Sequence, residues 1–329
     1  MFKKLTLGLS GLFAAQIALS AGVFYHEHVQ ASQQVAKTLF SFEPSQIDHI
    51  AISSHDNKVL LRKVHQHWVL PGLDQLPADS ARVEQLLSQL TTARVNWPIA
   101  DSKSAQQRFK VAPKDFKTHV SMHSAKHTLA NFYIGDSPTF HQVSVRKKGQ
   151  RAIYQLNLLT GPLMANSASW LDKMLLATPN QQISGNNFDI KKNQQIWQWQ
   201  GKAHSKQRVL SQNKATLLSE SLANLNIEHV AVTPLLGKPQ FSLHVQSGQH
   251  HYRYQFWHKD NRYQVERSDY NVRFAINQGQ YQQLAKVNEL YLLDKVKQTA
   301  SKSVNHSTQT VKPTPTRSSE SELPAHHAK

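Results

Sequence analysis

Residues 119–137 read HVSMHSAKHTLANFYIGDS, a stretch in which apolar and polar residues alternate on both sides of a short polar turn. Residues 243–261 read LHVQSGQHHYRYQFWHKDN and show the same alternation around the same kind of turn, although identities are few. A period of two residues is typical of strands that bury one face of a sheet. The two stretches therefore predict antiparallel hairpins in two similar units of the chain.

The sequence around the first hairpin predicts an α+β unit over residues 46–176. Alternating runs predict strands at residues 47–53, 58–64, 67–70, 127–134, 141–146 and 152–155. Asp79 or Ser80 can cap a helix that follows. Its apolar stripe contains Val83, Leu86, Leu87, Leu90 and Ala93. Spaced leucines and methionines predict a second helix, over residues 157–176, that closes the unit.

The sequence around the second hairpin predicts an equivalent unit over residues 182–294. Strands are predicted at residues 188–190, 195–199, 241–246, 252–257, 263–267 and 272–276. Helices are predicted from about residue 213 and over residues 281–293. We expect an α+β protein with two similar domains, each a mainly antiparallel twisted sheet with packed helices, after one N-terminal transmembrane helix.

The predicted transmembrane helix is residues 5–25, LTLGLSGLFAAQIALSAGVFY, which contain no charge and no proline. A helix of that length spans roughly 30 Å, the thickness of a bilayer's hydrocarbon core. Lys3 and Lys4 precede it, and basic residues favour the cytoplasmic side. We therefore expect a signal anchor in inner-membrane lipid, with residues 1–4 in the cytoplasm and the bulk of the chain in the periplasm. A cleaved signal peptide is the alternative, but its apolar core would run only about 7 to 15 residues and end at an Ala-x-Ala site. Here the apolar run is longer, and the small residues Ser20, Ala21 and Gly22 form no such site.

Two further segments lie outside the predicted domains. Residues 26–45 are interpreted as a juxtamembrane spacer. Residues 295–329 contain no aromatic residue and few aliphatic ones. Such a segment cannot bury enough apolar surface to offset its chain entropy, so we expect a disordered tail.

Composition restricts the function only loosely. The chain of 329 residues has a net charge of +17 and no cysteine. A thiolate metal site and a disulfide framework are therefore excluded. The basic excess is typical either of a solvated surface or of contact with an anionic surface. Nucleic acid is not expected as a partner of a body outside the inner membrane.

Several short runs are similar to those of one protein family. They lie within residues 42–44, 47–50, 68–70, 133–136, 152–156 and 170–175. These runs resemble the family called domain of unknown function 4340, which contains membrane-anchored bacterial proteins, some with names that refer to auxiliary components of gliding-motility ABC transport systems. The resemblance implies an exported α+β domain beside a membrane, and it supplies no catalytic residue. Similarity to proteins linked with transporters implies an accessory role by association only.

No motif predicts a catalytic residue, a cofactor-binding residue or a metal ligand. The sequence lacks the Gly-x-Ser-x-Gly, His-Glu-x-x-His and phosphate-loop patterns. Nineteen histidines include the pairs His65/His67, His123/His127 and His250/His251. His65 and His67 share a face only if the strand begins at His65, His123 and His127 lie on either side of a turn, and His250 and His251 point apart on a strand. We predict that the protein is not an enzyme and carries no cofactor.

Aromatic residues on the predicted strands are the candidate ligand-facing residues. They are Trp68, Trp197, Trp199, Tyr252 and Tyr254. Such residues can line a groove for sugar or lipid, or they can form the buried face of the sheet. Both interpretations fit the alternation.

Together these patterns predict a non-catalytic, inner-membrane-anchored periplasmic protein that acts as an accessory or interaction module. Its expected partner is a membrane protein, such as an ABC transporter subunit. The alternative is a binding module for an envelope polymer or an anionic lipid, which the basic charge and the aromatics favour. An envelope hydrolase without a recognisable motif is the third hypothesis.

Overall fold

The computed structural model describes residues 15–22, 36–125, 127–136, 139, 141–158, 163–200 and 208–295. Residues 15–22 form helix α1, and their side chains are exposed. Among the described residues, no helix combines the length and apolar character that crossing a bilayer requires. Most of the predicted anchor, residues 26–35 of the predicted spacer and the predicted tail after residue 295 lie outside the described residues. The rest of the predicted spacer belongs to the folded body, since Leu39 and Phe40 are buried in the hydrophobic core.

The first unit is built mainly from strands. They are β1 (Lys37–Thr38), β2 (His49–Ser53), β3 (Lys58–Val64), β4 (His67–Leu70), β5 (Leu76–Pro77), β6 (Arg94–Val95), β7 (Val111–Ala112), β8 (Asp115–Phe116), β9 (Thr118–His123), β10 (Thr128–Ile134), β11 (Gln142–Lys147) and β12 (Ile153–Asn157). Within the described residues, eight of them form sheet one, in the order β12-β11-β10-β9-β2-β3-β4-β5. Neighbouring strands of sheet one are antiparallel.

The second unit has the same construction. Its strands are β13 (Gln182–Ser184), β14 (Asp189–Asn193), β15 (Ile196–Trp199), β16 (Arg208–Leu210), β17 (His229–Val230), β18 (Phe241–Ser247), β19 (His250–Lys259), β20 (Arg262–Arg267), β21 (Phe274–Ala275) and β22 (Leu293–Lys295). Eight of these described strands form sheet two, in the order β15-β14-β13-β18-β19-β20-β21-β17. The prediction of an α+β protein with two sheet-rich domains is confirmed.

Helices pack on the sheets. They are α2 (Ser80–Thr92) and α3 (Lys103–Arg108) in the first unit, and α4 (Gln212–Ala223), α5 (Gln278–Ala285) and α6 (Glu289–Leu292) in the second. Helix α2 begins where the Asp79 carboxylate accepts a hydrogen bond from the Arg82 amide. The buried residues of α2 are Val83, Leu86, Leu87 and Leu90, as its apolar stripe predicted.

The two units repeat the same strand order. In sheet one, the path β12-β11-β10-β9-β2-β3-β4 corresponds to β21-β20-β19-β18-β13-β14-β15 in sheet two. Val120 pairs with Phe132 as Leu243 pairs with Tyr254. Val120 is therefore structurally equivalent to Leu243. This equivalence is shifted by one residue from a letter-by-letter alignment of the two stretches, 119–137 and 243–261. A bulge between Thr128 and Ala130 changes the offset further along the hairpin.

The predicted closing helix over residues 157–176 is wrong where the chain is described. Its described residues contain the short 3-10 helix Ser167–Ser169, bends and turns, including turns over residues 173–176, and no α-helix. The amide of Asp79 donates to the Trp170 carbonyl at 2.8 Å, and Ala78 bridges Leu171. The backbone groups of this segment thus bond to the residues that precede α2. These bonds replace the ones that a helix would form within the segment.

The second unit closes in the same way. The amide of Ser211 donates to the Leu292 carbonyl at 2.8 Å, and β22 pairs with β16. The helix predicted over residues 281–293 is divided into α5 and α6, because the Asn288 side chain accepts from the Tyr291 amide and starts a new helix. The closing segments share the letters Leu-Asp-Lys, at residues 171–173 and 293–295.

The first closing segment also connects the two units. Within this connector, defined as residues 170–178, the Lys173 carbonyl accepts from the Ile227 amide at 2.9 Å. The Thr178 amide donates to the Leu222 carbonyl at 3.0 Å. Leu175 and Leu176 are buried in a hydrophobic cluster that contains residues of both units. The units are therefore held together by backbone bonds and by a shared core.

Candidate functional site

Three of the five candidate aromatics lie inside the protein. Trp68, Trp197 and Tyr254 are 3%, 2% and 0% exposed, whereas Trp199 and Tyr252 are partly buried. Their inward orientation follows from the strand register, which places them with the aliphatic residues of each sheet. Lys63 lies over Trp68 and Lys192 over Trp197, each at 6.0 Å from the ring centroid. This placement agrees with the alternative that the alternating aromatics form the buried faces.

The histidine pairs are not assembled into a site. In the part of the chain that the structure describes, no group of three or more His, Cys, Asp or Glu side chains could hold a metal ion. His65 occupies a turn with φ of 46°. His123 shares a hydrogen bond of 3.2 Å with Thr128. His250 stacks on Tyr252 with ring centroids 6.1 Å apart, while His251 faces the other side of the sheet.

A polar groove of about 370 Å³ lies on the side of sheet two that faces away from the helices. We call it the sheet-two groove. Its lining is Gln182, Ser184, His244, Val245, Gln246, His251, Tyr252, Arg253 and Ser268. The polar residues of β13, β18 and β19 occupy alternate positions, so they share one face. The register places His244 opposite Arg253 and Gln246 opposite His251.

The sheet-two groove is lined by donors and carries no carboxylate among its lining residues. Asp189 is the acidic residue opposite Ser184, and it accepts a hydrogen bond of 2.8 Å from Gln182. Lys191 lies opposite Gln182 and adds a further basic residue beside the groove. The local charge is therefore positive, and the groove is suited to a ligand that supplies hydrogen-bond acceptors.

A buried arginine lies beneath the groove. Arg267 is 6% exposed and binds Asp269 through two hydrogen bonds of 2.7 and 2.9 Å. A third guanidinium nitrogen donates to the Thr178 hydroxyl at 3.1 Å. The guanidinium also lies over the Tyr252 ring at 4.6 Å. The backbone of Tyr252 borders the groove and its ring contacts Arg267 on the opposite face of the strand, so Tyr252 connects the groove with the connector through Arg267.

The protonation of this cluster is fixed by its surroundings. Burial lowers the pKa of Arg267, but its hydrogen bonds with Asp269 and Tyr254 more than compensate, and the pKa lies above its ordinary value. Burial raises the pKa of the Tyr254 hydroxyl, while its hydrogen bonds with Thr178 and Arg267 oppose the shift. The arginine is therefore charged and the tyrosine neutral at ordinary pH. The cluster acts as a structural link between the units.

A loop over residues 231–240, the apolar loop, covers the other end of the same face. Val232 and Leu236 are 92% and 95% exposed. The backbone between them is held in place by Gln264, which binds the Leu235 amide at 2.8 Å and the Thr233 carbonyl at 3.0 Å. The Trp257 indole donates to the Gly237 carbonyl at 3.0 Å. The two aliphatic side chains are thus displayed on a well-anchored backbone.

The comparison with protein families shows to which family the chain belongs. A family model described as "Domain of unknown function (DUF4340)" matches residues 68–242, which is more than half of the sequence. The chain belongs to the DUF4340 family. No curated protein and no solved structure matches it. The resemblance inferred from short runs is therefore confirmed, although the match extends beyond residue 176 and begins after residue 44.

The DUF4340 match includes the connector, α4 and the first residues of β18. It therefore covers the part of the chain that joins the two units. The sheet-two groove lies partly inside the match, through Gln182 and Ser184, and mostly beyond it.

Sequence reasoning missed the Arg267 cluster, since its members are separated by up to 89 residues. The apolar loop had a visible signal in Val232, which precedes Pro234, and in Leu235 and Leu236 between Pro234 and Pro239.

Proposed function

We propose that this DUF4340 protein is a non-catalytic accessory protein that is anchored in the inner membrane by residues 5–25 and binds a membrane protein through its periplasmic body. The expected partner is a subunit of a transport complex, such as an ABC transporter. The observation that carries the proposal is the exposure of Val232 and Leu236 on an anchored loop. Exposed aliphatic side chains on a fixed backbone are typical of interaction sites.

The anchoring of the loop supports a preformed interaction surface. Arg273 donates to the Leu235 carbonyl and lies 3.6 Å from the centroid of the Trp257 ring. The same arginine forms an ion pair with Glu266 at 3.1 Å. A loop held by these contacts loses little conformational entropy when it binds. The surface is therefore suited to a protein partner that offers a complementary apolar pocket.

The construction of the body supports a role that depends on a fixed shape. The connector bonds to both units, and Lys173 donates to the carbonyl of Ala168 at 2.7 Å and to that of Glu228 in the second unit. The most buried ion pair, between Arg267 and Asp269, is used for packing. A body of this kind can hold the apolar loop at a defined position relative to the rest of the two units.

The proposed location rests on the sequence of the N-terminal segment and on the exposed apolar side chains of α1. Ile17 and Leu19 are 56% and 74% exposed. Apolar side chains that have no packing partner in the described body are suited to a lipid environment. A reporter enzyme that is active only outside the cytoplasm, fused after residue 30, tests the orientation. Activity supports the proposal, and a reporter that is inactive despite being expressed contradicts it.

Site-specific photo-crosslinking tests the partner. A photoreactive amino acid is placed at Val232 or Leu236 of the full chain, and native membranes are irradiated. We expect one integral membrane protein to be captured from both positions. Leu290, an exposed aliphatic residue on α6, is the matched control position. Capture should also decrease when Leu236→Asp is combined with the photoreactive residue at 232. Equal capture from position 290, or no capture, contradicts the proposal.

A further inference from the structure

We propose that the sheet-two groove binds an anionic saccharide, a function beyond the protein-binding role of the apolar loop. The groove and the loop lie on the same face of sheet two. Arg253 lines the groove and Trp257 lies under the loop, four positions further along β19. At about 3.3 Å per residue these positions are roughly 13 Å apart. The two sites are therefore separate, and both can be occupied at once.

The chemistry of the lining indicates the ligand class. The side-chain amides of Gln182 and Gln246 and the hydroxyls of Ser184 and Ser268 are both donors and acceptors. Such groups match the hydroxyls of a sugar, which also donate and accept. The volume of about 370 Å³ accommodates a small ligand and not an extended protein segment.

The charge of the lining indicates an acidic substituent. The Arg253 side chain is exposed, and within the described part of the chain it has no hydrogen bond or ion pair to a carboxylate. Its guanidinium can bind a carboxylate or a phosphate through two parallel hydrogen bonds. His244 lies directly opposite Arg253, and His251 is two positions before it on β19. Their ring nitrogens can add donors to the same oxyanion.

The position of Tyr252 indicates how the groove is kept in shape. Its backbone forms part of the groove wall between His251 and Arg253, while its ring, on the opposite face of the strand, packs against the Arg267 guanidinium, which is fixed by Asp269 and Thr178. The groove wall is thus attached to the connector and not to a free loop. A preformed wall reduces the ordering cost of binding. If the body is periplasmic, as proposed above, the ligand is an acidic sugar unit of an envelope polymer.

Titration calorimetry on the full chain in detergent tests this inference with four probes. They are glucuronic acid, glucose 6-phosphate, glucose and inorganic phosphate. We expect both acidic sugars to bind at least about tenfold more tightly than glucose and than phosphate alone, because each neutral or sugar-free probe lacks half of the contacts. The two acidic sugars distinguish a carboxylate from a phosphate. Equal binding of phosphate and glucose 6-phosphate, or of glucose and glucuronic acid, overturns the proposal.

Variants locate the binding site. Arg253→Gln should weaken binding of the acidic sugars by about 10- to 100-fold, the usual effect of losing a charge-assisted pair. His251→Gln should weaken it less. Arg262→Gln and His229→Gln are matched controls, because both residues lie near the apolar loop at the other end of the face. Unchanged binding by Arg253→Gln, with an unchanged unfolding midpoint, overturns the proposal. Crosslinking from the apolar loop is independent of these measurements.

Discussion

The hydroxyl oxygens of Tyr254 and Thr178 lie 2.5 Å apart, so the central strand of sheet two is bonded directly to the connector. Tyr254 also donates to the Leu176 carbonyl at 2.7 Å. Both residues are buried. A hydrogen bond between buried groups is costly to lose when one partner remains, because the remaining group has no water to replace it. This contact is therefore one of those that attach the connector to sheet two.

Replacing Tyr254 by phenylalanine should reduce the free energy of unfolding by about 1–3 kcal/mol. The ring is retained, so the loss comes from the Leu176 carbonyl and the Thr178 hydroxyl, which each lose the bond with the Tyr254 hydroxyl and keep only their contact with each other and, for Thr178, with Arg267. Urea denaturation followed by circular dichroism measures the change. Tyr252→Phe is the control, since the Tyr252 ring keeps its contact with Arg267. An equal effect of both substitutions contradicts the assigned role of the Tyr254 hydroxyl.

Stability should decrease in alkaline solution. Burial raises the pKa of Tyr254, Tyr270 and Tyr281 in the folded protein. The folded state therefore keeps protons that the unfolded chain loses above a pH of about 10. Stability is retained below that pH and falls as the pH rises from there through the folded pKa values. Urea unfolding between pH 8 and pH 11 measures the decrease, and Tyr254→Phe should make it smaller.

Gly135→Ala should destabilise the first unit by about 3 kcal/mol or more. A Cβ atom at this position would lie 1.8 Å from the Phe109 carbonyl oxygen and 2.8 Å from that of Lys110. Backbone atoms cannot move aside as a flexible side chain can. Gly72→Ala is the matched control, since a Cβ there meets nothing within 4 Å. Similar unfolding midpoints for the two variants would show that this close approach is wrong.

Asp79→Ala should cost about 1 kcal/mol through the loss of the cap of α2. The Asp79 carboxylate accepts the Arg82 amide at 3.0 Å. The side-chain carbonyl of the variant Asp79→Asn can accept the same bond, so that variant should recover most of the stability. Thermal unfolding measures both substitutions. Equal destabilisation by alanine and asparagine argues that the charge, and not the hydrogen bond, is the source of the effect.

The elements with a strong local pattern were predicted correctly. Strands β3 and β4 and helix α2 have buried positions at the spacing that their sequences show. The segment that follows β12 was not predicted, since its leucines suggested a helix. Its described backbone instead bonds to Ala78 and Asp79, about ninety residues earlier in the chain. Partners that distant leave no periodic signal in the local sequence.

The candidate site was predicted only in part. Tyr252 borders the sheet-two groove with its backbone while its ring contacts Arg267, and Trp68, Trp197 and Tyr254 belong to the core. Alternation shows which residues share a face of a strand, but it does not show which face the helices cover. The basic residue that matters most in the groove, Arg253, looked like an ordinary solvent-facing neighbour of the aromatics.

The sequence by itself determined the α+β class, the presence of two similar units and the family, because alternation, capping residues and short runs are local properties. The tertiary structure decided how the closing segments bond, which aromatics are buried and where Arg267 meets Thr178. It also assembled the groove from β13, β18 and β19. These features depend on strand order and register, which bring residues far apart in the chain within hydrogen-bond distance.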